Sequence, residues 1–332
     1  MISQGTQEVW NDDILYDRAF GSLIGLAIGD SLGDQARSPE NHLAYGITRD
    51  LRSSSSWSTD DTEFALLVAH ELIVSQGELT REVVVDCWRK LVLSQGELGS
   101  KGGESEKGAL ANLQRGILPP LSGSDNSYND SDGAAMRVAP IGIACAGDPG
   151  RAARLAEVEA SVSHYRDGVW GAQAVAAGIA AAMGGANVHQ VIASARDFIP
   201  DDSWLGRWLE RAMCIVDESG GDIHNAWMPL HEKLWTQYRA SSAEALSEAF
   251  AIFRLTSGDF MEGVIQAANF GRDSDTLAAV VGALCGAMHG ASAIPPEWIE
   301  KVRRPAGRCL VFTTSLDIGE VSRELARLVR KS

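Results

Sequence analysis

Two stretches of this chain repeat glycine at every fourth residue. Gly21, Gly25, Gly29 and Gly33 form one series; Gly282, Gly286 and Gly290 form the other. Spacing of four puts each series on one face of a helix. Each glycine costs roughly 1 kcal/mol relative to alanine in a helix interior. Close backbone approach is the expected compensation, so both segments read as tightly packed helices at the centre of a domain. Core packing alone explains these glycines, and they say nothing about function.

Helical spacing dominates elsewhere too. Residues 17–33, 61–76, 81–95, 149–161, 168–183, 203–217, 242–253, 258–268, 275–289 and 316–330 read as helices. Asp148-Pro149 offers an N-cap followed by proline at the first helical position. Asp317 or Ser315 is the expected cap of the last helix, where Ile318, Val321, Leu325 and Leu328 share a face. The one strand candidate, "CLVFTT" (309–314), stands alone. The expectation is an all-α fold, with residues 1–332 as a single compact many-helix domain. The Gly-, Ser- and Asp-rich stretches 99–108 and 121–133 read as mobile surface loops.

Residues 168–195 carry no Lys, Arg, Asp or Glu and could mimic a membrane span. They are mostly Ala and Gly, which give too little transfer energy for insertion. A buried helix broken near Gly184-Gly185 is the expectation. The net charge of −15 argues against a nucleic-acid backbone or an anionic membrane as main partner. The five cysteines are scattered, with no CxxC pair, which fits a reducing cytoplasm and no thiolate metal site. The N-terminal "MISQGTQEVWNDD" lacks the apolar core of a signal peptide.

Two helix starts carry clustered oxygen donors. "SSWSTDDTEF" presents Thr59, Asp60 and Asp61; "GRDSDTLAAV" presents Asp273, Asp275 and Thr276. Helix capping explains either cluster alone. Capping needs one side chain, however, and clustered carboxylates repel unless a cation or proton compensates. Oxygen donors without Cys or clustered His suit a hard cation such as Mg²⁺, Mn²⁺ or Ca²⁺. No EF-hand, GxSxG, Walker A or HExxH motif is present. The residues alone therefore lead to a divalent-metal site shared by two helix termini.

Four blocks, in order, carry a resemblance: "GSLIGLAIGDSLG" (21–33), "WSTDDTEFAL" (57–66), "DGAAMRVAPIG" (132–142) and "GRDSDTLAAVVGALCGA" (271–287). The chain resembles the ADP-ribosylglycohydrolase family over nearly its whole length. The resemblance implies an all-α fold around a two-metal centre, usually magnesium, with manganese as the alternative. By motif, Thr59, Asp60, Asp61, Asp273, Asp275 and Thr276 would be metal ligands, with Asp275 bridging two ions. Asp60 or Asp61 would be the catalytic carboxylate that serves as base. Ser131, Asp132, Gly133 and Met136 would cradle ADP-ribose, and His164 would contact substrate. Taken by themselves, Met136 reads as core, His164 as a loop histidine and Arg137 as half of an internal ion pair.

The implied reaction is cleavage between ADP-ribose and a modified protein side chain, arginine first. The alternatives are hydrolysis of a small ribosyl metabolite and a catalytically silent relative with a structural role. The implied partners are an ADP-ribosylated protein or an ADP-ribose-containing small molecule. Three positions depart from the family pattern. Arg37 stands where many relatives have a glutamate, with Glu40 the nearest replacement. Asp132 stands where relatives often have Asn. Arg272 replaces a common Gly and is expected to reach a phosphate or to neutralise the carboxylates.

Overall fold

The computed structural model describes residues 11–52, 56–99 and 102–329. Among them, α1 (Asp12–Ala36) starts on Asn11, whose side chain accepts the Asp13 N–H at 3.1 Å. From Gly21 to Ala36 every residue of α1 is buried. A helix covered on all sides belongs at the centre of a domain. Its partner lies far along the chain, after a series of surrounding helices.

These run as α2 (Pro39–Tyr45), α3 (Asp60–Val74), α4 (Arg81–Cys87), α5 (Glu104–Gln114), α6 (Leu121–Ser124) and α7 (Ala139–Ala144). Next come α8 (Pro149–Ala160), α9 (Asp167–Met183), α10 (Val188–Arg196), α11 (Trp204–Glu218) and α12 (Ile223–Leu234). The last are α13 (Ser242–Leu255), α14 (Phe260–Phe270), α15 (Ser274–His289), α16 (Pro296–Val302) and α17 (Ile318–Leu328). One contiguous apolar core runs through them, from Leu15 to Leu328. No helix among the described residues is long and apolar enough to cross a membrane.

The two glycine series face each other. A Cβ on Gly21 would lie 2.5 Å from the Gly286 carbonyl oxygen, one on Gly25 would strike Gly282, and one on Gly29 would strike Ala278. The pairing runs in opposite directions, so α1 and α15 are antiparallel and touch backbone to backbone. At its far end Gly33 packs on Asp275, with a Cβ only 2.6 Å from the Asp275 nitrogen. The C-terminal end of α1 thus meets the N-terminal end of α15. Helices α9, α13 and α14 pack around α15.

Several expected boundaries hold. Asp148 caps α8 through the Arg151 N–H at 2.9 Å, with Pro149 in the first turn. The apolar 168–195 segment breaks at Gly184-Gly185 into α9 and α10. Asp317 caps α17 through Gly319 and Glu320. The expected 81–95 helix leaves α geometry after Cys87, passing through a π turn over Trp88–Val92 and a 3-10 turn over Leu93–Gln95. Helix α12 carries Pro229 in its interior, which obscured it in the sequence.

Two expectations fail. Residues 309–314 form no strand; Val311–Ser315 is a 3-10 turn. Its approach is set by the buried Glu63 on α3, whose carboxylate accepts the N–H groups of Arg308, Cys309 and Leu310 at 2.9, 2.8 and 2.6 Å. Those amides have no need of a strand partner. Nor are 99–108 and 121–133 merely mobile surface. Residues 100–101 lie outside the described residues, but Ser105 and Glu106 open α5 and are buried. Buried Asn126 ties the two stretches together, donating to the carbonyls of Ser105 (2.7 Å) and Ser163 (2.9 Å).

Candidate active site

Buried Asp30, near the end of α1, receives the start of α3. Its Oδ2 accepts the N–H groups of Thr59 (2.8 Å) and Thr62 (3.2 Å) and the Thr62 hydroxyl. Its Oδ1 accepts the Thr59 hydroxyl at 2.6 Å, which leaves that oxygen a free lone pair. Asp30 thereby does from another helix what a cap would do. Thr59 and Asp273 both occupy N-cap positions, and neither caps its own helix with its side chain. Capping is therefore not what these clusters are for.

Asp61 is 1% exposed and its Oδ1 has no hydrogen-bond partner. Carboxylate oxygens of Asp30, Asp61 and Asp275 lie within 4.8 Å of one another. That span is about twice a metal–oxygen bond of ~2.0–2.6 Å. Burial pushes Asp30 up to about 6, with hydrogen bonds from Thr59 and Thr62 pulling it back. Burial and then Asp273 push Asp275 up to about 7, against the pull of Arg37. Burial also pushes Asp61 well above the usual carboxylate range, reinforced by Asp30 and Asp275. Such a group needs a proton or a cation. An orphaned buried oxygen among hard donors fits a divalent ion.

Asp61 and Asp275, but not Asp30, which is fully buried outside the lining, floor a cleft of about 450 Å³, within the usual range for small-molecule sites. Asp60 faces it, with its acidity weakened by burial and by nearby Glu106. The opposite wall is Ser131, Asp132, Gly133 and Met136, as the motif implied. Gly133 fits closely there: a Cβ would meet Ser105 Oγ at 2.7 Å and Glu106 Oε1 at 2.8 Å. Asp132 Oδ2 is buried without a partner, and burial with Asp273 and Asp275 nearby raises its pKa strongly.

Behind this wall Arg137 is fully buried. It donates to Glu159 and Glu106 (2.8 Å each), to the Gly133 carbonyl (2.9 Å) and to Ser163 Oγ (2.8 Å). The ion-pair reading of Arg137 therefore holds. Ser163 Oγ lies 2.7 Å from His164 Nδ1, and His164 Nε2 lies 2.8 Å from Ser131 Oγ. His164 is 1% exposed and does not line the cleft, so it reaches the site through Ser131. Burial, then Arg137, holds it well below the usual histidine range, hence as a neutral ring.

The two departing arginines part ways. Arg272 turns away from the carboxylates onto buried Glu244, donating through Nε and, at 2.9 Å, through Nη2. Nη2 also reaches the Thr236 carbonyl at 2.7 Å. The hydrogen bonds of Arg272 thus go to Glu244 and Thr236, not to Asp273 or Asp275. Gly271 (φ 89°) and Arg272 (φ 58°) both adopt left-handed backbone, which turns the chain sharply into Asp273. Arg37 does enter the site. Its Nη1 is 2.7 Å from Asp275 Oδ1 and 3.4 Å from Asp273 Oδ1, and Nη2 is 3.1 Å from Asp34 Oδ1. Glu40 is exposed, bound by the Ser38 hydroxyl at 2.9 Å, and is absent from the cleft lining.

All six motif oxygen donors converge at this cleft or, for Thr59, directly behind it. Glu106, Tyr238 and Arg239, which the motifs do not single out, also line the cleft, and Asp30 supports it from behind. One signal for Asp30 was available: a carboxylate embedded in an apolar helix between two stripe glycines.

The family model for ADP-ribosylglycohydrolase matches residues 11–331. An uncharacterised protein of Archaeoglobus fulgidus is 32% identical, covering 85% of this chain and 90% of its own. ADP-ribosylarginine hydrolase Tri1 of Pseudomonas putida is 29% identical (86% and 74%). The ADP-ribosyl-[dinitrogen reductase] glycohydrolase of Rhodospirillum rubrum is 25% identical (87% and 91%). A solved structure, an ADP-ribosylglycohydrolase-related protein complex, shares the fold with a TM-score of 0.65 at 22% identity, covering 95% of this chain and 99% of that one. With that match across the whole described length, the chain belongs to the ADP-ribosylglycohydrolase family.

Proposed function

We propose that this cleft hydrolyses the bond between ADP-ribose and a modified protein side chain, arginine first, with the help of a divalent ion, magnesium or manganese. The observation that carries the reading is the buried carboxylate group of Asp30, Asp61 and Asp275, with an unpartnered Asp61 oxygen, under the Ser131–Met136 wall. Asp30, Asp61 and Asp275 would hold the ion, with Thr59, Asp273 and Thr276 around it. The ion would supply a fixed positive charge for ribose hydroxyls and water.

Asp60 faces the cleft without being one of the three carboxylates that would hold the ion, and it acts as base. The water oxygen forms the new bond to the anomeric carbon and the carbon–nitrogen bond breaks. The water proton passes through Asp60 to the departing nitrogen. An acidic lining of Asp60, Glu106, Asp132 and Asp273 favours a cationic guanidinium at the reacting end. The names of the Pseudomonas and Rhodospirillum relatives support an ADP-ribosylated protein substrate.

The test is a panel of ADP-ribosyl-arginine protein, ADP-ribosyl-serine peptide, small ADP-ribose conjugates and nucleosides. The expected result is release of ADP-ribose from the arginine adduct, lost with EDTA and restored by Mg²⁺. Cleavage of nucleosides alone would overturn the proposal. Preference for a small conjugate would move the substrate from protein to metabolite.

A further inference from the structure

The resemblance implies two cations at this site, and the side chains around the cleft offer a different way to offset its carboxylates. We propose that the Arg37 guanidinium takes the place of one of the two cations, so that the cleft binds a single divalent ion. This rests on the metal reading above.

The position of Arg37 is fixed by the backbone. It follows α1 directly, and its N–H donates to the Gly33 carbonyl at 2.9 Å. Gly33 is itself pressed onto Asp275. The guanidinium therefore starts one turn from the carboxylates it meets. Its Nη1 contacts both Asp275 oxygens, at 2.7 and 2.6 Å, and lies 3.4 Å from Asp273. Its Nη2 completes the fork on Asp34 at 3.1 Å. One cation thus spans three carboxylates, with its side chain only 23% exposed. A guanidinium cannot shed its proton to make room for a metal.

The remaining charges sort themselves around it. Asp273 has a second partner in Arg239 Nε at 3.3 Å, and Asp34 a second in Arg308 Nη1 at 3.6 Å. Asp30 is held by Thr59 and Thr62. Two buried carboxylate oxygens of the cleft are left without a partner, Asp61 Oδ1 and Asp132 Oδ2, and of these only Asp61 belongs to the group of three carboxylates with Asp30 and Asp275. That leaves one vacancy for one ion. A second ion between Asp273 and Asp275 would have to stand where Arg37 Nη1 already does. Glu40, the glutamate nearest to Arg37 in the sequence, is turned to solvent.

The experiment counts ions instead of turnover. The chain is stripped with EDTA and titrated with Mn²⁺ under equilibrium dialysis, and the bound ion is examined by electron paramagnetic resonance. The expected result is one Mn²⁺ per chain with the hyperfine pattern of an isolated ion. Two ions with an exchange-coupled spectrum would overturn the role of Arg37 and leave the metal reading standing. No bound ion would overturn both. Arg37→Glu, which supplies the missing carboxylate, is expected to bind a second ion and to acquire the coupled spectrum. Arg37→Lys, which keeps the charge, is expected to stay at one. A folded Arg37→Glu that still binds one ion would refute Arg37 as the determinant. If that variant does not fold, the count in the unaltered chain decides.

Discussion

Replacing Gly33 with alanine adds one methyl group between α1 and α15, beside the carboxylate cluster. The new Cβ would lie 2.6 Å from the Asp275 nitrogen, and closer still to the Asp275 Cα and the Ser274 carbonyl oxygen. The tightest contact, 2.3 Å to the Ser274 carbonyl oxygen, reaches an ordinary 3.4 Å only if the helices part by about 1.1 Å. All three neighbours are backbone, so no rotamer change relieves the clash. Alanine gains about 1 kcal/mol of helix propensity. Overpacking costs about 1–3 kcal/mol or more, here at the upper end. The expected balance is a loss of about 2 kcal/mol, read as a fall in Tm of roughly 4–8 °C at most. The functional effect is larger, because Asp275 moves with its Cα. A displacement near 1 Å costs about 10²-fold in rate, and Mn²⁺ affinity falls with it. Gly21→Ala is the control. Its Cβ meets Gly286 and Gly290 at 2.5 Å, at the opposite end of the helix pair. It should lose similar stability and keep its Mn²⁺ affinity. Calorimetry on both variants, with and without Mn²⁺, separates the two effects. Equal losses of affinity in both, or a raised Tm with unaltered affinity in Gly33→Ala, would refute the reasoning.

Other outcomes follow from the same site. Asp30 and Asp275 have pKa values raised from 3.8 to about 6 and about 7, so the metal-free fold holds more protons than the unfolded chain between about pH 4 and 7. Its stability should therefore fall as pH rises through that window, and saturating Mg²⁺ should remove the slope in pH-resolved melting curves. Arg137→Ala leaves Glu106 and Glu159 buried without their cation, at a cost of about 3–5 kcal/mol; thermal melts should show it, and activity should fall because Glu106 and Gly133 lose their anchor. Asp275→Ala should abolish divalent-ion binding and hydrolysis while far-UV circular dichroism stays unchanged; full activity with Mg²⁺ would refute the metal assignment.

The parts of this fold that sequence makes legible are those governed by local periodicity. The glycine series identified both central helices, because a stripe of missing side chains has few other uses in a core. The acidic clusters identified the site floor, because three oxygen donors exceed what a helix cap needs. Long-range polar contacts were not legible. Glu63 gave no sign that it would bind three amides near Cys309 and abolish the expected strand. Glu106 was hidden in a Gly- and Ser-rich stretch that looked like surface, until Arg137 and Asn126 drew that stretch inward. Arg272 was flagged as a neighbour of the carboxylates, yet its left-handed backbone aims it at Glu244 instead.

The antiparallel pair at the centre also sets an order of events during synthesis. The Gly33 carbonyl accepts the Ser274 hydroxyl at 3.3 Å across 241 residues of chain. At about 5–20 residues per second, that interval takes roughly 10–50 s on the ribosome. Through it, α1 has been made and its glycine face has nothing to close against. Contacts of such separation are slow to form and leave apolar surface open meanwhile. The site that joins Asp30 to Asp275 can be completed only after α15 emerges, so ribosome-bound fragments ending before Ser274 should bind no divalent ion at this cleft. Helix α1, made long before its partner, is among the last to be buried, and it would be the natural target of a chaperone until then.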